Sequence, residues 1–419
     1  PAFNRLAKII VTVCGLGAAN LASAGTVEVL HWWTSGGEAA AAAELKQMLE
    51  AKGHEWQDFA VAGGGGESAM TALKSRVISG NPPGAAQIKG PAIQQWGDTG
   101  TLADLDPVAE SQNWDELLPP VVARVMQYDD QYVAAPVNVH RVNWMWANPA
   151  VFEQAGAEIP TTWDEFVAAA EKIQAAGFIP VAHGGQAWQD STTFESVVLA
   201  VGGADLYNRA FVELDEAALT SDEMVEAFRR LRQIKSFTDP NAPGRDWNLA
   251  TSMVINGEAA MQFMGDWAKG EFTAAGQAPG EDYVCQPFPG TDGAFTFNID
   301  SFVMFAVSGD DREAQLALAE TILEQDFQRL FNQAKGSIPV RTDMAMDGFD
   351  QCARESMEDF KEAATADTLV PSMAHGMSTF PAVQGAIYDV VTNFYNSDMV
   401  PEQAAEELAR GVAAAEPSL

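Results

Sequence analysis

One repeating unit constrains this chain more than any other feature. A short apolar run is followed by a loop with glycine or polar residues, and then by an amphipathic helical stretch. The first copy reads "TVEVL", "HWWTSGGE" and "AAAAAELKQMLEAKG", where Gly53 suits a helix C-terminus. The second is "QDFAVAGGGG" and a helix that Ser68 is placed to cap in "SAMTALKSRVISG", ended by "GNPPG". The third is "AAQI", with Lys89-Gly90-Pro91 leading into "AIQQWGDTG". Further strands and helices follow in "YVAAPVNVH", "PTTWDEF" with Thr162 as cap, "GFIPVAHGG", "GEAAMQFMGDW" and "GAFTFNIDSFVMFAV". This alternation predicts an α/β fold.

With 419 residues the chain exceeds a usual single domain, and strands lie on both sides of a helical middle region. Such a chain divides into two α/β lobes, and ligands on these sheets bind outside the carboxyl ends of the strands. Four clusters sit at those ends: Trp32, Trp33 and Glu38; Lys89; Asp266 and Trp267; Asn298 and Asp300. Each alone reads as packing or solvated surface. Their recurrence at one topological position is the signal.

The adjacent tryptophans sharpen it. Neighbours on a strand face opposite ways, so a strand ending by Leu30 would leave both indoles in a loop, free to face one cleft. Trp33 is expected to meet the ligand and Trp32 to buttress it. Glu38 begins the following helix, whose N-terminal partial charge favours an acid. Indoles cover the C–H face of a sugar ring, while carboxylate, Lys, Asn and His groups bond its hydroxyls. The mixture therefore suits a neutral, polyhydroxylated ligand.

Charge narrows the partners. Against 24 basic residues stand 58 acidic ones, a formal −34 that makes nucleic acid and anionic membrane surfaces poor partners. Arg5 and Lys8, the apolar stretch from Ile9 to Leu21 and the ending Ala22-Ser23-Ala24 read as a secretory signal peptide over residues 1–24. Its apolar core is shorter than the roughly 20 residues of a membrane span, so an exported, soluble mature protein is expected. Of the three cysteines, Cys14 lies in that segment. Cys285 and Cys352 then either close one long loop in an oxidising compartment or stand as two buried thiols.

Other chemistries lack their parts. His31, His54, His140, His183 and His375 show no i,i+4 pair for a zinc helix. The run "AGGGGES" lacks the Lys-Ser/Thr of a phosphate-binding loop, and "HGGQAW", without a G-x-S-x-G partner, reads as a strand-end turn. A secreted glycosidase needs two carboxyl groups roughly 5–10 Å apart. Residue order alone does not fix that separation.

The segments "VEVLHWWTSGGE", "AGGGGESAMTALKSR", "GNPPGAAQIKGPAIQQW", "NVHRVNWMWANP", "AHGGQAWQDSTTFE", "DWNLATSMVINGEAAMQFMGDWAKGEF", "NIDSF", "KGSIPVRTDM" and "PSMAHGM" together resemble the periplasmic glucose-binding proteins of bacterial ABC transporters. The likeness is strongest to the glucose/mannose type and runs from about residue 26 to the C-terminus. It implies the two-lobed periplasmic binding protein fold, with a three-segment hinge and the ligand cleft between the lobes. Chain crossings are then expected near Asn138 to Arg141, Phe297 to Asp300 and Ser337 to Arg341. Lobe one would take 26–138 and 300–338, and lobe two 139–299 and 339–419.

Carried over residue by residue, the resemblance implies sugar contacts at Trp32, Trp33, Glu38, Lys89, Trp247, Trp267, Asp300, Lys335 and His375. Glu38, Lys89, Asp300, Lys335 and His375 would bond hydroxyls, Trp267 would stack, and Trp33 and Trp247 would close other sides of the ring. Asn138, Arg141 and Asp266 form a second rank that braces the hinge or the pocket. The resemblance also implies high-affinity binding without catalysis, no cofactor or metal, a monomer, and membrane permease subunits as partners.

Overall fold

The computed structural model describes residues 24–416. Apart from Ala24, the expected signal segment, with Cys14, lies outside the described residues. Five strands form the first sheet: β1 (Thr26–His31), β2 (Glu55–Ala60) and β3 (Ala85–Gln87), with two that come later in the chain. The next strands are β4 (Gln127–Tyr128), β5 (Gln131–Tyr132), β6 (Ala134–Pro136), β7 (His140–Arg141), β8 (Trp144–Ala147) and β9 (Ile179–Val181). The last are β10 (Ala259–Phe263), β11 (Val284–Pro287), β12 (Phe295–Asn298), β13 (Ser301–Met304) and β14 (Leu369–Pro371).

The first sheet has the order β2-β1-β3-β13-β6, with β1 parallel to β2 and β3, and β13 antiparallel to its neighbours. A second sheet, β11-β8-β10-β9, forms the other lobe, and a three-stranded sheet, β14-β12-β7, lies where the chain crosses. The first core packs Val27, Val29 and Leu30 of β1 with Leu45, Leu49 and Phe331, all fully buried. The second gathers Phe166, Ile173, Phe194, Phe228 and Phe394. Full burial of each such side chain contributes about 1.5–3 kcal/mol.

Three chain passages link the two sheets. The first runs from β6 through β7 to β8, and the second from β12 directly into β13. The third leaves the helix Gln325–Lys335, bridges Ile338 to Val139, and reaches the helix Gln351–Thr365. That last helix, expected to lie wholly in lobe two, sets Phe360 against Phe295 of the three-stranded sheet and joins the apolar cluster of the first core. Asn138 ties the passages together. Its Nδ2 donates to Asp300 Oδ2 at 3.2 Å and to Ser337 Oγ at 3.1 Å, and its Oδ1 accepts from the Asp300 N–H at 3.0 Å.

Local sequence signals match the structure at one helix cap and differ at another. Thr162 caps the helix Trp163–Ala175 in a full capping box with Glu165. Ser68 caps nothing: the helix Glu67–Ile78 starts earlier, with Gly66 at its cap and no side-chain bond. Gly66 has φ +81, and a Cβ there would stand 2.8 Å from the Trp32 ring, so glycine is required where a polar cap would normally sit. Of the two cysteine readings the structure has the disulfide, joining Cys285 on β11 to Cys352 at the start of the helix Gln351–Thr365. Closing a 67-residue separation contributes about 4 kcal/mol in the chain-entropy model.

Candidate functional site

A cavity of about 330 Å³ lies between the lobes. All nine residues expected to contact sugar border it: Trp32, Trp33, Glu38, Lys89, Trp247, Trp267, Asp300, Lys335 and His375. Five more complete the wall, namely Gly64, Gly65, His140, Trp188 and Asn298. Strand ends and helix starts position most of them. Trp32 and Trp33 follow β1, and Glu38 lies in the first turn of the helix Gly36–Ala51, which Ser35 caps by accepting from the Glu38 N–H at 3.3 Å. Trp267 precedes the helix Ala268–Ala274, and Trp247 opens the helix Trp247–Ile255.

The adjacent tryptophans are supported in different ways. Trp33 is packed into the first core, T-shaped to Phe302 at 5.4 Å and tilted against Phe331 at 5.2 Å. Trp32 carries Lys89 Nζ at 5.4 Å from its ring centroid. In packing terms Trp33 is therefore the buttressed residue, although both rings reach the cavity.

Two buried acid–base pairs supply the polar wall. Lys335 Nζ donates to Glu38 Oε2 at 3.1 Å, joining a helix C-terminus to a helix N-terminus. Asp300 Oδ2 lies 2.8 Å from His140 Nε2, while Gln87 Nε2 donates to its Oδ1 at 3.3 Å. Burial by itself would raise the Asp300 carboxyl, but His140, Lys335 and Lys89 overcome it and hold the group well below the usual carboxylate range. His140 hydrogen-bonds Asp266 through its other nitrogen. Burial opposes its charge, yet Asp266 and Asp300 together hold its pKa above the ordinary value. With a carboxylate at each nitrogen, the ring donates both ways as an imidazolium.

His375 is the opposite case. Burial, with Lys89 and His140 adding, pushes its pKa well below the ordinary value, so the ring is neutral. The Thr192 hydroxyl donates to the Trp188 carbonyl at 2.8 Å and therefore accepts from His375 Nε2, 2.9 Å away. Nδ1 is left as a hydrogen-bond acceptor. Burial lowers the Lys89 pKa to about 8, partly offset by Asp300. Asn298 Oδ1 is buried with no hydrogen-bond partner among the described residues, which costs about 1–3 kcal/mol and which a hydroxyl donor would recover.

The remaining wall explains the glycine run. A Cβ at Gly64 would come within 2.5 Å of the Trp188 ring and 2.9 Å of Trp247. "AGGGGES" is therefore a backbone surface of the first lobe laid on two indoles of the second. Of the second-rank residues, Asn138 and Asp266 stand behind Asp300 and His140. Arg141 turns away, with its guanidinium hydrogen-bonded to Asp359, Asn143 and the Ala294 carbonyl and 4.5 Å from the Trp144 ring centroid. Sequence reasoning missed His140 and Trp188. Trp188 had a usable signal, because "HGGQAW" follows β9 closely, much as "WWTSGG" follows β1.

Among the described residues no group of His, Cys, Asp and Glu is arranged to hold a metal ion, and no helix is long and apolar enough to cross a membrane. The profile of the bacterial extracellular solute-binding proteins matches residues 34–320. A probable sugar-binding periplasmic protein of Rhizobium meliloti is 51% identical over 400 residues, 96% of either chain. One of the same description from Brucella melitensis is 49% identical over 416 residues, covering 98% of this chain and 99% of the relative. Among solved structures, a chitin oligosaccharide binding protein superposes with a TM-score of 0.80 at 18% identity, covering 94% of this chain and 99% of the other. That likeness supports the two-lobed fold. The chain belongs to the bacterial extracellular solute-binding protein family, whose members bind a solute rather than transform it.

Proposed function

We propose that this protein binds a monosaccharide, glucose first, in the periplasm and hands it to the permease of an ABC transporter. The observation that carries this reading is the composition of the cavity. Five tryptophans surround a space of about 330 Å³ into which Glu38, Lys89, Asn298, Asp300, Lys335 and His375 also reach. Tryptophans crowded on so many sides favour one enclosed sugar ring over a chain of them. Indole faces take the C–H surface of the ring. Ionised Asp300 and neutral His375 accept hydroxyl protons, and Lys89, with no hydrogen bond from its Nζ to the described residues, donates to a ring or hydroxyl oxygen.

The near end-to-end likeness to proteins described as sugar-binding and periplasmic supports both ligand class and location. Binding would work by selection of the closed form. Contacts from both lobes favour closure, and the permease reads the closed shape. A hydrolytic reading has no observation in its favour: Glu38 and Asp300 are each paired with a cation, and Asp300 is held below the usual carboxylate range, the reverse of what a general acid needs.

Calorimetric titration with glucose, mannose, galactose, xylose, maltose and a chitin disaccharide tests the proposal. Glucose or its epimer should bind most tightly. Tight binding of a disaccharide with none of the single sugars would overturn it.

A further inference from the structure

Behind the cavity wall lies a carboxylate that the binding scheme leaves unused. Glu195, on the helix Ala187–Phe211, is fully buried, and its hydrogen-bond partners among the described residues are uncharged. A buried acid without a cation partner costs stability unless hydrogen bonds compensate. Here they come from Tyr207 and from one loop, residues 371–376. Ser372 Oγ–H donates to Oε1 at 2.7 Å, and the Ala374 N–H donates to Oε2 at 2.8 Å. The Tyr207 hydroxyl accepts from the Met373 N–H at 3.0 Å and shares its one proton between Glu195 Oε2 at 3.0 Å and the Pro371 carbonyl at 2.8 Å. Ser372 Oγ in turn accepts from the His375 N–H at 3.1 Å.

Three successive backbone N–H groups, of Met373, Ala374 and His375, are thus fixed by the carboxylate directly or through one hydroxyl. The third belongs to the residue whose imidazole borders the cavity. The loop also meets the first lobe: a Cβ on Gly90, beside Lys89, would stand 2.1 Å from the Gly376 carbonyl oxygen. A displacement of the loop would therefore move His375 and the seat of Lys89 together.

We infer that Glu195 is the positioning residue for His375: it holds the 371–376 loop so that the imidazole acceptor meets one hydroxyl of the bound solute. This rests on the monosaccharide reading for its consequence, but not for its geometry. Burial pushes the Glu195 carboxyl up to about 7, against the pull of the hydrogen bonds from Ala374, Ser372 and Tyr207. The same burial makes glutamine a tolerable replacement for stability.

The test is a double-mutant cycle of Glu195→Gln and His375→Ala, read by glucose calorimetry, by thermal melting and by long-range ¹H–¹⁵N spectra of the imidazoles without ligand. Glu195→Gln is expected to weaken glucose binding about tenfold in the wild-type background and less than twofold in the His375→Ala background. It should also shift the ring signals of His375, identified by their loss in His375→Ala, from those of an Nε2-protonated tautomer. Equal weakening in both backgrounds, or unchanged ring signals, would overturn the inference. If the wild type binds no single sugar, the ligand reading fails, while the spectra still decide the positioning role.

Discussion

His140 Nε2 stands 2.8 Å from Asp300 Oδ2, while Nδ1 of the same ring is hydrogen-bonded to Asp266. One imidazolium therefore bridges two buried carboxylates and joins the cavity wall to the loop before Trp267, on which the ring also packs T-shaped at 5.1 Å. Removing one member of such a cluster typically costs about 3–5 kcal/mol. His140→Gln is expected to destabilise the fold by that order and to weaken sugar binding at least tenfold, as is Asp300→Ala for binding. Unfolding in denaturant and calorimetry measure the two effects.

The same pair sets a pH dependence. The folded-state pKa of His140 is raised, so its contribution is complete below its ordinary value near about 6.5 and is lost as pH rises through the raised one. Asp300 is lowered, so its contribution is present above about 3.9 and is lost as pH falls toward the lowered value. Stability of the wild type should therefore fall on the alkaline side by more than that of His140→Gln. Matched slopes for the two proteins above pH 7 would remove His140 from the account.

Lys89 trades stability for binding. Its pKa is lowered to about 8, so folding is penalised while the group is charged, and the penalty fades as pH rises from 8 toward its ordinary value of about 10.4. Lys89→Met should raise the melting temperature of the unliganded protein near neutral pH. A charge-assisted hydrogen bond contributes about 1.5–3 kcal/mol, so the same change should weaken glucose binding roughly ten- to hundredfold.

Gly64→Leu tests closure. The substituted Cβ meets the Trp188 ring at 2.5 Å, so the glycine loop could not lie on the indoles. Affinity should drop at least tenfold, and small-angle scattering should show the sugar-induced compaction of the wild type reduced. Far-UV dichroism should be unchanged, because the clash lies between lobes and not within a core.

Cys352→Ser separates stability from recognition. The disulfide lies outside the residues that border the cavity. Its loss should cost about 2–5 kcal/mol of stability, seen as a lower denaturant midpoint, while sugar affinity stays within about twofold.

The sequence by itself determined the α/β alternation, the two-lobed division and the residue types at the strand ends. These follow from local periodicity and from neighbours along the chain: "TVEVL" must be a strand with a glycine loop behind it wherever it packs. It also carried Trp247, Lys335 and His375 into the expected site through likeness rather than through any spacing of their own. Only the tertiary structure decided which histidine is charged, because His140 and His375 differ in what lies beside them. Asp266 and Asp300 reach His140 across 126 and 160 residues, whereas His375 meets an alcohol and two indoles. Packing also decided that the first core braces Trp33, that a run of glycines is the face two tryptophans need, and that Glu195 fixes a loop 179 residues away. Burial and electrostatic partners depend on distances in space, which residue order sets only once the lobes have folded and met.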